Sequence, residues 1–184
     1  MEPTKSIEII EGMLLESKKS LHRNSFYFLV WGFLLVPAGI AEYYLQGKPL
    51  FMMIWPIVGM VGGVISMLYG RKESKRVGAE TTGDRVTSYT WGAFLVTMFI
   101  GIGYTTYNGL SPHTIILLLA GMATFISGGI SKFTPFVIGG ILLQVAGIIC
   151  AFVLEPSYHS LVFSAGIFVG YVIPGILLRR SENV

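Results

Sequence analysis

Charge is scarce in this chain. Only 12% of its 184 residues are Asp, Glu, Lys or Arg, about half the share usual in a soluble domain. A soluble fold of this size could not hide 53% hydrophobic residues, and the excess would leave adhesive patches on its surface. Cysteine is scarcer still. The single Cys150 excludes an internal disulfide. It stands in the apolar run Ile148–Phe152, where a thiol resists ionisation, so it reads as a small buried hydrophobe and not as a nucleophile. No two of the three histidines share a helical turn and there is no Cys pair, so no metal-ligand spacing appears. Walker, Gly-x-Ser-x-Gly and dinucleotide fingerprints are missing too. Fragments such as Gly101-Ile102-Gly103 lie inside apolar runs and carry no phosphate meaning. These absences lead us to expect a protein that is not an enzyme and has no catalytic residues, no metal and no cofactor. The net charge of +3 is not gathered on a basic face, which excludes nucleic acid as a partner.

What the chain has is apolar length. Its mean hydropathy is +0.68. Runs at about 26–45, 51–70, 87–107, 113–131, 134–154 and 159–178 each approach the ~20 residues an α-helix needs to cross the hydrocarbon core. Helix is the forced choice, because backbone groups in lipid must pair within their own segment. The 23 glycines, costly in a soluble helix, allow close backbone approach in a membrane bundle. Breaks carry turn residues, as in Gln46-Gly47-Lys48-Pro49, Asn108-Gly109-Leu110-Ser111-Pro112 and Glu155-Pro156-Ser157-Tyr158. The expected fold is an all-α membrane protein of six transmembrane helices, arranged as three sequential hairpins and preceded by an amphipathic N-terminal helix. Residues 1–25 form the cytoplasmic part, 26–180 the bundle and 181–184 a cytoplasmic tail. The first 25 residues lack the apolar core and cleavage site of a secretory signal, so the first run is expected to act as an uncleaved anchor.

Basic residues fix the orientation. Lys5, Lys18, Lys19, Arg23, Arg71, Lys72, Lys75, Arg76, Arg85, Lys132, Arg179 and Arg180 fall on one side of a six-span chain, and only Lys48 on the other. Twelve against one, on alternate loops, places both termini in the cytoplasm by the positive-inside rule. Tyr43, Tyr44, Trp55, Tyr104 and Tyr107 mark the outer interface, where amphipathic rings settle.

The spans echo one another. Trp31-Gly32-Phe33-Leu34-Leu35-Val36 matches Trp91-Gly92-Ala93-Phe94-Leu95-Val96, and Ile138-Gly139-Gly140-Ile141-Leu142-Leu143 is a weaker third copy. The pattern suggests parallel hairpin repeats, though Gly-rich apolar helices also align by chance. Gly59 with Gly63 and Gly166 with Gly170 are small-residue pairs suited to helix packing or self-association. Residues 5–23 place Ile7, Ile10, Met13, Leu14 and Leu21 at helical spacing. They read as a helix on the membrane surface, or as a docking segment for a protein partner. Membrane lipids are the one partner the composition demands.

A few polar side chains are candidates for binding. Gln144 is the deepest, and should face the interior and form an interhelical hydrogen bond or touch a substrate. Glu42 is the only acid well inside a span. It can pair with Lys48 across the turn, reach headgroup water, or line an outward cavity together with tyrosines such as Tyr44 and Tyr104. His113 and His159 open spans four and six at the outer side. With Glu42 and Glu155 they could form a shallow pH-sensing or metal cluster, or simply be solvated.

The stretch IEIIEGMLLESKKSLHRNSFYFLVWGFLLVPAGIAEY (residues 7–43), with WPIVGMVGG and YGRKESKRVG after it, resembles a family of small, uncharacterised bacterial multi-span membrane proteins. The resemblance implies a helical protein of the bacterial inner membrane and transfers no functional residues. The expected function is a non-enzymatic sensor, regulator or assembly partner. The alternative is a small transporter or channel subunit with a polar site near Gln144 and Glu42.

Overall fold

A computed structural model of the chain describes residues 25–48, 50–74 and 82–181. Among these, the regular structure is helical, without a strand. Helix α1 covers Ser25–Leu45, α2 Phe51–Ser74, α3 Thr82–Tyr107, α4 His113–Ile130, α5 Thr134–Phe152, α6 His159–Ile167 and α7 Ile173–Ser181. A π-helical turn, Phe168–Val172, joins α6 and α7 into one span. Six helical segments are thus long and apolar enough to cross a membrane, and the protein is an all-α bundle of six apolar spans. The segment expected to be an amphipathic helix, residues 5–23, lies outside the described residues, as does the tail after 181.

Two ends differ from expectation. Helix α2 runs on through Arg71 and Lys72 to Ser74, and α3 begins at Thr82, about a turn before the apolar run. Hydropathy marks where hydrocarbon ends, whereas a helix can continue into headgroup water. The basic last turn of α2 and Asp84 in the first turn of α3 both suit the helix dipole. The tight turns after α1 and α3 use Gly47 and Gly109 at positive φ, 77° and 65°, which only glycine adopts freely.

Small residues bring the backbones together. Gly121 and Gly128 of α4 face α5 where it carries Gly140, Phe136 and Val137. A methyl added at Gly140 would sit 2.6 Å from the Phe125 amide nitrogen and 2.7 Å from the Gly121 carbonyl. Neither atom can move without the helix, so α4 and α5 pack as closely as two helices can. Gly139 in turn lies under the Gly170 carbonyl. Pro174 has no N–H to offer that carbonyl, and the chain widens there into the π-helical turn. Gly166 packs on Ala146 and Leu117, so the pair Gly166 and Gly170 is occupied within the chain. Gly59 and Gly63 have nothing within contact distance.

Helix α1 lies antiparallel to the sixth span, with Gly32 against Val172, Gly39 against the Ser160 carbonyl and Leu29 against Gly175. The Ser164 hydroxyl donates across this seam to the Val36 carbonyl at 3.0 Å. Helices α2 and α3 form the rim and bury least. Gly62 of α2 receives the ring of Trp31, and Trp91 of α3 donates from Nε1 to Ser127 Oγ at 3.2 Å. The half of the core toward the basic helix ends is aromatic. Phe28 meets Phe136, Tyr171 and Trp91 at ring-centre distances of 4.1, 4.9 and 5.7 Å.

Candidate functional site

The other half of the core contains an acid. The turn after α1 sets the register of the first hairpin, so Glu42, in the last turn of α1, faces Trp55, one turn into α2. Trp55 Nε1 lies 3.1 Å from Glu42 Oε2 and donates to it. The first residue of α4, His113, brings its Nε2 to 2.8 Å from the same oxygen. Its Nδ1 lies 2.9 Å from Ser111 Oγ. Glu42 and His113 are 6% and 5% exposed. Phe163 of α6 closes the site, edge-on to His113 at 5.3 Å and to Trp55 at 5.4 Å. Four helices therefore converge on one carboxylate.

The bonds tolerate a change of proton count. With a neutral imidazole, Nε2–H donates to the carboxylate and Nδ1 accepts from the Ser111 hydroxyl. With imidazolium, Nε2 still donates to Glu42 and Nδ1–H donates to Ser111 Oγ. One added proton turns a pair of net charge −1 into a neutral one without breaking a contact.

Further contacts bind the same end. Gln46 Nε2 donates to the Ser157 carbonyl at 3.0 Å, and Tyr43 stacks on Tyr158 at 6.1 Å. His159 is buried and closes its own turn, donating from Nε2 to the Leu154 carbonyl at 3.0 Å. Its Nδ1 and the neighbouring Ser160 Oγ are buried without a hydrogen-bond partner among the described residues.

The structure separates the remaining candidates from this site. Glu42 turns inward to Trp55 and His113, while Lys48, its expected partner, is exposed. Tyr44 and Tyr104 are 71% and 62% exposed on the bundle surface, and the buried tyrosine among the described residues is Tyr171. Gln144 lies across Gly121 at the α4–α5 seam, half-buried. The interhelical hydrogen bond expected of its amide is not formed among the described residues. His113 joins Glu42, whereas His159 is engaged with its own loop and Glu155 is exposed. Among the described residues, no group of three His, Cys, Asp or Glu side chains is placed to hold a metal.

Trp55, Ser111 and Phe163 belong to the site without having been candidates for it. Trp55 had a signal: the hairpin turn places it opposite Glu42, and an indole N–H needs an acceptor when it leaves water. Phe163 and Ser111 had none, since only the packing of α1 on α4 and α6 brings them near the acid.

The helices and this site define a polytopic α-helical membrane protein with a buried acid–imidazole pair. Beyond that class the comparisons are silent: no family model, no curated protein and no solved structure matches the chain.

Proposed function

We propose that this chain is a non-enzymatic membrane sensor or regulator whose outer end is held shut by a clasp of Glu42, His113 and Trp55. The observation that carries the reading is the buried Glu42–His113 contact at 2.8 Å. An ionisable pair inside a membrane bundle is expensive to maintain, and such pairs mark functional positions. The surroundings favour a switch over a path. Beyond the Phe163 ring, Leu117, Leu143 and Ile167 are fully buried, and Leu117, Leu143 and Ala146 fill the space around Gly166. In this reading the clasp has two states, one in which Trp55 and His113 both hold the Glu42 carboxylate and one in which they release it. On the same reading both termini are cytoplasmic, as the basic residues imply, the membrane is the bacterial inner membrane that the resemblance implies, and the outer turns read the opposite side.

Fluorine NMR of 5-fluorotryptophan protein in nanodiscs tests this. The resonance of Trp55, assigned by its loss in Trp55→Phe, should report two environments in the wild type, one held against Glu42 and one released. In Glu42→Gln the held environment should disappear while the Trp31 and Trp91 resonances stay in place. A Trp55 signal that is single in the wild type and unchanged in Glu42→Gln rules out the switch. Protein-dependent proton or cation uptake into liposomes, lost in Glu42→Gln, would favour the transporter reading instead.

A further inference from the structure

Helix α2 is held to the bundle differently at its two ends. It is the least buried of the six spans. Toward its basic end α1 grips it closely. Trp31 packs into Gly62, where a methyl would lie 2.8 Å from the ring. Phe26 stacks on Tyr69 at 3.7 Å, and Tyr27 meets that ring edge-on at 5.5 Å. At the outer end the first turn of α2 reaches the other helices through Trp55. The indole donates to Glu42 of α1 at 3.1 Å and packs on His113 of α4 and Phe163 of α6 at 5.8 and 5.4 Å. Leu50 and Met53 beside it are exposed. The Leu50 carbonyl accepts from the Met53 N–H at 3.1 Å, so Leu50 travels with the turn.

Between the two attachments stands Pro56, inside the helix and directly after Trp55. It has no N–H for the carbonyl four residues back, and its ring crowds that carbonyl. Helices bend most sharply at such points. The turn before Pro56 is therefore joined to the rest of α2 by a weakened ladder. The end of α1 is fixed by contrast: Gln46 is tied to the Ser157 carbonyl at 3.0 Å, and Tyr43 stacks on Tyr158. Gly47, at positive φ and with nothing within contact distance, ends that fixed part.

We propose that residues 51–55 are a lid over the acid, hinged at Pro56 and latched by Trp55. Release of the indole lets this turn swing while Gly62 and Tyr69 keep the rest of α2 on α1. The open lid uncovers Glu42 and His113 at the outer end of the bundle and leaves α4, α5 and the sixth span in place. A pivot of about 30° at the proline moves Leu50, about 9 Å along the helix, by about 5 Å. The inference rests on the two-state clasp proposed above and adds the element that moves.

Double electron–electron resonance on the full chain in nanodiscs, in a Cys150→Ala background, tests the lid. One spin label goes on Phe152→Cys, at the exposed end of α5. The second goes on Leu50→Cys, which rides on the lid, or on Met60→Cys, exposed about one turn beyond the hinge. The Leu50 pair should give two distances about 5 Å apart. Glu42→Gln, and separately Trp55→Phe, should shift the population to the open one. Pro56→Ala, which restores the N–H, should leave the Leu50 pair with one distance. The Met60 pair should give a single distance throughout. Leu50 and Met60 distances that move together mean a rigid helix and overturn the lid, and so does a second Leu50 distance that survives Pro56→Ala. A Leu50 distance that stays single while the Trp55 fluorine signal reports two environments also overturns it, since the indole then switches alone and the clasp reading stands. A single Leu50 distance together with a single Trp55 signal removes both readings.

Discussion

Glu42 Oε2 and His113 Nε2 meet at 2.8 Å although 71 residues separate them in the chain. The contact ties the first hairpin to the start of the fourth helix. Removing only one partner should therefore cost more than removing both. His113→Ala leaves a buried carboxylate with Trp55 as its remaining donor, and a loss of about 3–5 kcal/mol is expected. Adding Glu42→Gln to that variant should recover part of it. A double-mutant cycle on reversible unfolding in mixed micelles measures the coupling, and additive effects would show that the pair does not act as a unit.

Trp55→Phe preserves the ring against Phe163 and His113 and deletes one hydrogen bond to the carboxylate. A bond to a charged acceptor contributes about 1.5–3 kcal/mol. The same unfolding assay should show a loss in that range. A Trp55→Phe protein as stable as the wild type would mean that the indole N–H contributes nothing to the clasp.

How much of this was legible beforehand differs from residue to residue. The six spans were, because apolar length and basic loops are local properties. Half of the clasp was legible in principle: the turn after α1 sets Glu42 opposite Trp55. His113 was recognisable as an outer histidine, but nothing in the chain says that α4 packs beside α1 at that point. Gln144 shows the converse. Its depth in the span was clear, yet the glycine seam places its side chain against Gly121, where it finds no hydrogen-bond partner among the described residues. The ends of α2 and α3 were missed because hydropathy does not report helix beyond the hydrocarbon.

The glycines should divide sharply on substitution. Gly140→Ala places a methyl against the Phe125 and Gly121 backbones, forcing α4 and α5 apart, and a loss of about 1–3 kcal/mol is expected from the overpacking. Gly63→Ala meets open space and should be neutral, or gain up to about 1 kcal/mol of helix propensity. Unfolding midpoints of the two variants, compared side by side, check the contrast. Similar losses in both would mean that the Gly63 face is covered by something else, such as a second copy.

Orientation can be tested with thiol chemistry, because the one native cysteine, Cys150, is buried. In a Cys150→Ala background, Asn108→Cys should react with a membrane-impermeant maleimide on intact cells. Lys132→Cys should react only after the membrane is opened. The reverse pattern would invert the proposed topology.

The seam between α1 and the sixth span has a consequence for biosynthesis. Gly32 and Gly39 find their partners on a segment that leaves the ribosome more than a hundred residues later, and so does the Phe163 ring that covers the acid. Until then α1 sits in the bilayer with its packing surface vacant and its carboxylate unroofed. The nascent protein passes through a long interval in which five inserted helices do not yet make a closed molecule.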